Sequence, residues 1–147
     1  MRLLDTNVIV HAIYKGSPLH LPAATLVKRA LEEKRQFCIT PQNIIEFLSV
    51  VTRSRFVDPP LDVEDAVKIA SKLFKSRRLR KIYPARGTVL RAAGEGLRIG
   101  LTGTAWYDLY LAVTMRDNKV ETIVTENIRD FRSLDFISAI RIADAVR

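Results

Sequence analysis

Met1-Arg2-Leu3-Leu4-Asp5-Thr6-Asn7 decides how this chain is read. Leu3-Leu4 has the character of a short buried strand, and an acid closes it at Asp5. Thr6 or Asn7 then caps a short helix through about Ile13. In open parallel sheets ligands bind beyond the carboxyl ends of the strands, which puts Asp5 where a site is expected. Two more acids run against an apolar grain: Glu46 within Ile44-Ile45-Glu46-Phe47-Leu48-Ser49-Val50-Val51, and Asp108 within Ala105-Trp106-Tyr107-Asp108-Leu109-Tyr110-Leu111-Ala112-Val113. Burying an ionised carboxylate is costly unless a cation or donors compensate it. Three such acids in a chain of net charge +8 suggest a shared bound metal ion.

Working outward, Gly16-Ser17-Pro18 is a turn. Pro22 sits in the first turn of a helix to about Lys34, with Leu26, Val27, Ala30 and Leu31 on one face. Gln36 to Thr40 reads as a second strand. Pro41 opens a helix whose apolar positions are Ile44, Ile45, Leu48 and Val51. After the break at Asp58-Pro59-Pro60, Asp62 caps a helix to about Lys75, with Val63, Ala66, Val67, Ala70, Leu73 and Phe74 as its core face. Ile82-Tyr83 is a brief strand or a connector. Thr88 to Leu97 is helical, weakened near its end by Gly94 and Gly96. Thr104 is the expected N-cap of a helix to about Asn118. Glu121 to Thr125 is the clearest strand, and Phe136 to Ala143 a last short one. Short strands alternating with helices indicate an α/β class: one domain over residues 1–147, with a short, mostly parallel central sheet flanked by helices.

The 147 residues, 48% of them hydrophobic, suffice for one sizeable core and exclude a disordered chain. No apolar run reaches the roughly 18–20 residues of a membrane span. Asp5 and Asn7 interrupt any signal-peptide core, and the lone cysteine, Cys38, suits a reducing compartment, so a cytoplasmic location is expected. Cys38 itself reads as a small buried hydrophobe. Two histidines and one cysteine, none at ligand spacing, exclude a structural zinc site. His11 and His20 are given ordinary surface or packing roles. Clustered carboxylates call instead for a hard dication such as Mg²⁺ or Mn²⁺.

The charge is uneven. From Lys68 to Arg98 there are ten basic side chains and a single acid, Glu95, while the rest of the chain has fourteen basic and fifteen acidic residues. A localised basic segment is an electrostatic footprint for phosphate.

Together these segments resemble the PIN-domain nucleases. The resemblance rests on Leu4-Asp5-Thr6-Asn7, the mid-chain helical Glu46, Trp106-Tyr107-Asp108-Leu109-Tyr110-Leu111-Ala112, and Ile123-Val124-Thr125-Glu126-Asn127-Ile128-Arg129-Asp130-Phe131. The four occur in the expected order over nearly the whole chain. The form of the last motif is most similar to the VapC-like toxin ribonucleases of type II toxin–antitoxin pairs. What this implies is a metal site of Asp5, Glu46 and Asp108. A fourth acid is divided between two positions: many relatives carry aspartate where this chain has Asn127, and Asp130 is the motif's candidate acid, with Glu126 turned elsewhere. Thr6, Asn7, Thr125 and Asn127 would orient carboxylates, a metal-bound water or a phosphate. Arg77, Arg78, Arg80 and Lys81 would follow the RNA backbone. Trp106 and Tyr107 pack, or stack on a base.

The implied activity is hydrolysis of RNA by a metal-activated water, with Mg²⁺ or Mn²⁺ as cofactor. The implied partners are an RNA substrate, a cognate antitoxin and a second copy in a homodimer. The helices at 22–34 and 41–54 would clamp an apolar partner segment. Two other readings remain: a PIN-fold nuclease of RNA maturation or of DNA that works without an antitoxin, and a non-catalytic RNA-binding module. The latter sits poorly with three acids kept beside a phosphate-binding surface.

Overall fold

Leu3 and Leu4 point to opposite faces of a strand, and each finds a different core. The computed structural model describes residues 1–34 and 36–147. Its strands are β1 (Arg2–Leu4), β2 (Phe37–Ile39), β3 (Arg80–Lys81), β4 (Thr122–Val124) and β5 (Ser138–Ile140). They form one sheet in the order β3-β2-β1-β4-β5, with every described pairing parallel. Leu4, Phe37, Ile39 and Val124 face one core, and Leu3, Cys38 and Ile123 the other. The continuous apolar runs are those of strands covered on both faces.

The first core is closed by α1 (Thr6–Ile13), α2 (His20–Glu32), α3 (Pro41–Val51), α4 (Val63–Lys75) and the short α7 (Ile142–Ala145). The second is closed by α5 (Thr88–Arg98), α6 (Ala105–Asp117) and a 3₁₀ turn at Ile128–Phe131. The chain runs from β1 outward to β2 and β3, then crosses to the other side of β1 to lay down β4 and β5. The strand order therefore reverses between β1 and β4, and this switch point opens a crevice at their carboxyl ends.

Local chemistry explains most boundaries. Thr40 and Asn43 form a reciprocal capping box at the start of α3, with Pro41 in its first turn. Asp62 caps α4 by accepting from the Glu64 amide at 2.9 Å. Helix α6 buries Leu109, Leu111, Ala112, Val113, Thr114 and Met115, so it is apolar nearly all round and central. Cys38 is buried, and burial pushes its thiol up to about 12, as suits an inert packing residue.

Several expectations need correction. The cap of α1 is Asp5, not Thr6 or Asn7: its carboxylate accepts from the Thr6 amide at 2.7 Å. Thr104 stands at the N-cap position of α6, as expected, but its backbone is already helical and its side chain accepts no capping hydrogen bond. Of the two readings of Ile82-Tyr83 the connector holds: the third strand is Arg80–Lys81, and Ile82 is buried just beyond it. Val63 and Val67 are exposed, since α4 rests on Ala66, Ala70 and Leu73 instead. Ile45 is likewise exposed, leaving Ile44, Phe47 and Val51 to anchor α3. The last strand is shorter than expected and is followed by α7, whose first amide, on Ile142, donates to Glu126 at 2.9 Å.

Gly96 has a packing reason. A Cβ there would lie 2.4 Å from the ring of Trp106 and 3.1 Å from Leu109. The glycine lets α5 approach α6 at the end that carries Asp108. Gly96→Ala is expected to cost about 1–3 kcal/mol by overpacking, read as a lower melting temperature and altered Trp106 fluorescence. An unchanged melt would show that the two helices separate freely.

Candidate active site

Asp5 is buried at the end of β1, beside the switch point. Its Oδ1 accepts from the Thr6 amide, and its Oδ2 from Asn7 Nδ2 at 2.8 Å and the Thr125 hydroxyl at 2.6 Å. Thr125, at the carboxyl end of the neighbouring β4, also accepts from Asn7 Nδ2 at 2.9 Å and from the Asn127 amide at 3.0 Å. Asn7 Oδ1 in turn accepts from the Glu126 amide at 3.3 Å. Of the four side chains expected to orient a carboxylate, Asn7 and Thr125 bond Asp5 directly, while Thr6 and Asn127 join the network through their backbone amides.

Glu46 enters from α3. Its Oε2 accepts from the Thr6 hydroxyl at 2.8 Å and its Oε1 from Gln42 Nε2 at 2.7 Å. Gln42 also donates to the Tyr107 carbonyl at 3.2 Å, tying α3 to the first turn of α6. Asp108 lies in that turn, half-buried, and no hydrogen bond to its carboxylate is found among the described residues. Asp5, Glu46 and Asp108 line one groove of about 560 Å³, together with Thr6, Asn7 and Asn127. Its far wall is made by Val10, His11, Ser49, Val50 and Phe56.

The electrostatics follow from burial and crowding. Burial, opposed by the Thr125 hydroxyl and the Thr6 amide and aided by repulsion from Glu46 and Asp130, raises Asp5 from 3.8 to about 6. Burial, then repulsion from Asp130, Asp5 and Glu46, raises Asp108 to about 7. No lysine, arginine or histidine forms an ion pair with any of these four acids among the described residues. Four carboxylates that repel one another without a cation are a hard-oxygen donor set suited to a divalent ion. Among the described residues no three of them already stand as a formed coordination cluster. Asp5 and Glu46 are each committed to protein donors, and mutual repulsion works against a tighter gathering. The set fits a divalent ion in its chemistry, although its side chains are not gathered around one point in this structure.

The two candidates for the fourth position lie differently. Asn127 lines the groove. Asp130 is exposed in the 3₁₀ turn, outside the groove lining, yet its charge reaches both Asp5 and Asp108. Glu126 does turn elsewhere, pairing with Arg141 at 3.1 Å. Trp106 packs on Gly96, whereas Tyr107 is largely exposed and does not.

The basic candidates are not brought to the acids. Because β3 runs parallel to β2, Arg77 and Arg78 precede it on the amino side of the sheet, opposite the groove. Lys81 donates to the Ser76 and Leu79 carbonyls, and its partial burial lowers its pKa. Sequence reasoning missed Gln42, although its position four residues before Glu46 on the same helix face was a readable signal. It also missed His11 as a wall of the groove. The Ser17 hydroxyl lies 2.7 Å from His11 Nδ1, and burial lowers the pKa of this imidazole.

Comparison with known proteins places this geometry. The PIN domain family matches residues 2–137. The chain is 30% identical over 142 residues to Ribonuclease VapC48 of Mycobacterium tuberculosis, covering 95% of this chain and 94% of that protein. Its fold is similar to that of a DNA-bound VapBC from Salmonella typhimurium, with a TM-score of 0.65 at 17% identity, covering 96% and 97% of the two chains. It is also similar to Mycobacterium tuberculosis VapC20, described as a sarcin–ricin loop cleaving toxin, with a TM-score of 0.63 at 15% identity, covering 84% and 87%. The acids at the switch point, the parallel sheet and these likenesses agree: the chain belongs to the PIN-domain family and, within it, to the VapC-like group.

Proposed function

We propose that this chain is a single-domain, Mg²⁺- or Mn²⁺-dependent endoribonuclease, the toxin of a type II toxin–antitoxin pair working in the cytoplasm. The observation that carries the reading is the group of carboxylates at the switch point, with Asp5 and Asp108 raised by burial and repulsion and with no paired cation among the described residues. The 30% identity to a ribonuclease over almost the full chain supports RNA as the substrate. No helix among the described residues is long and apolar enough to cross a membrane.

Asp5, Glu46 and Asp108 would hold the metal. When bound, such an ion lowers the pKa of a coordinated water and offsets charge on the phosphate oxygens. Thr125, Asn7 and the Thr6 amide keep Asp5 aimed into the groove, while Thr6 and Gln42 keep Glu46 there. The Asp108 oxygens, which accept no hydrogen bond among the described residues, would orient the attacking water and accept its proton. Asn127 offers an amide to the substrate phosphate, and Asp130 adds negative charge at the rim. The products would carry a 5′-phosphate.

An antitoxin partner is supported by the likeness to toxin–antitoxin complexes. Its segment would lie in the groove that runs from the acids to Phe56, which is half exposed. A homodimer is supported by the unpartnered apolar residues Val89, Leu90 and Leu97 on α5, beside exposed Tyr107.

Incubating the purified protein with RNA in Mg²⁺, and then in excess chelator, tests the reading. Cleavage is expected to fall by at least about 100-fold in chelator and to return with Mg²⁺ or Mn²⁺. Cleavage undiminished by chelation would sink it. Co-purification with a small DNA-binding partner separates a toxin from a maturation nuclease.

A further inference from the structure

The ten basic side chains between Lys68 and Arg98 meet different fates. Lys68 is taken up by Glu64 at 3.0 Å and Asp65 at 3.3 Å. Arg91 pairs with Asp117 at 2.6 Å, and Arg98 with Glu95 at 2.5 Å. Lys81 is bound to backbone carbonyls. Lys72, Lys75, Arg77, Arg78 and Arg80 are all exposed, and among the described residues none of them has an ion-pair partner. They occupy the end of α4 and the approach to β3.

Their position is set by topology. Arg80 pairs in register with Cys38, so the chain leading into β3 lies toward the amino ends of the strands. Lys72 shares a surface hollow with Lys28 and Glu32 from the last turns of α2, which also leads to an amino end. The acid groove opens at the opposite end.

We propose that Lys72, Lys75, Arg77, Arg78 and Arg80 form a second RNA-contact surface, separate from the acid groove, that grips the phosphates of an RNA long enough to span the domain. This rests on the reading of RNA as substrate. Concentrated positive charge repels itself and is relieved by a polyanion, and the Glu32 carboxylate in the hollow of Lys72 offsets only part of it. Arginine pairs further present forked donors that match phosphate oxygens. At about 3.4 Å of rise per phosphate along one strand of a duplex, an RNA that reaches both the surface and the groove must be longer than a few nucleotides.

The test is the salt dependence of binding to a 20-base-pair RNA hairpin, measured by fluorescence anisotropy in chelator between 50 and 200 mM salt. Five phosphate contacts are expected to give a log–log slope of about −4.5, an affinity loss of about 500-fold across that range. Arg77→Glu with Arg78→Glu is expected to reduce the slope by about 2 and to weaken binding at least tenfold. Lys72→Glu with Lys75→Glu, on the adjoining helix, should do the same, with both melting curves near that of the parent protein. Unchanged slope and affinity in both pairs would overturn the proposal, as would unchanged RNA binding with lost binding of polyglutamate, which would mark an acidic protein as the occupant. Cleavage of RNA by the parent protein in Mg²⁺ is read in parallel. Cleavage with unchanged variants sinks the second surface alone, and lost affinity without any cleavage sinks the nuclease reading alone.

Discussion

Asp108→Asn is expected to lower RNA cleavage in Mg²⁺ by about 10²–10³-fold, the scale of losing an electrostatic group at the reacting centre. Asp108 is the one acid of the groove with no protein donor among the described residues, so nothing in the chain replaces its charge. Asp130→Asn is expected to cost only about tenfold, the lower end for a group that tunes a metal site from outside. Asp130 is exposed and stands off the groove lining, and it reaches Asp5 and Asp108 only through its charge. Turnover of a fixed RNA by the two variants at equal concentration measures the ranking. Equal losses, or a larger one for Asp130→Asn, would mean that the 3₁₀ turn moves inward and that Asp130 takes a ligand's place.

In chelator, the protein is expected to lose stability as pH rises from about 4 to about 8. Asp5 and Asp108 ordinarily titrate at 3.8, but burial and repulsion raise them to about 6 and about 7. Below the unfolded value both states are protonated and no penalty exists. As pH rises through the window, the unfolded chain releases its protons first, and the penalty is complete above the folded values. After discounting Asp108 for its partial exposure, the two acids together destabilise the metal-free protein by about 3–5 kcal/mol at pH 8, most of it from Asp5. For a chain of this size that is about 10–15 °C in melting temperature. Asp108→Asn should flatten the profile and raise the metal-free melting temperature at pH 8, while the parent protein recovers when Mg²⁺ or Mn²⁺ is added. A variant that melts lower than the parent at pH 8 would show that the Asp108 charge is already compensated by the fold.

Much of this site was legible before the fold. Asp5, Glu46 and Asp108 stand out because a charged residue inside an apolar segment demands compensation, and that demand is local. The clearest strand, Thr122–Val124, and helices α2 to α6 were equally local, written in apolar periodicity, prolines and capping residues. The failures have a common cause. Val63 and Val67 match a core face in spacing, yet small Ala66 and Ala70 meet the neighbouring helix instead. Thr104 carries the right chemistry for a cap, but the turn before it already delivers helical backbone. Gly96 reads as a weak helix position until Trp106 is seen lying against it.

The amino-acid sequence by itself determined an α/β domain, an acidic site at a strand end and a positive charge confined to one segment, because each depends on neighbours within a few residues. Only the tertiary structure decided that Thr125 and Asn7 clamp Asp5 and that Gln42 joins α3 to α6. It alone sends Lys72, Lys75, Arg77, Arg78 and Arg80 to the end of the sheet away from the acids. Those relations join residues up to 120 positions apart. They are set by strand order and helix direction, which no local pattern of residues encodes.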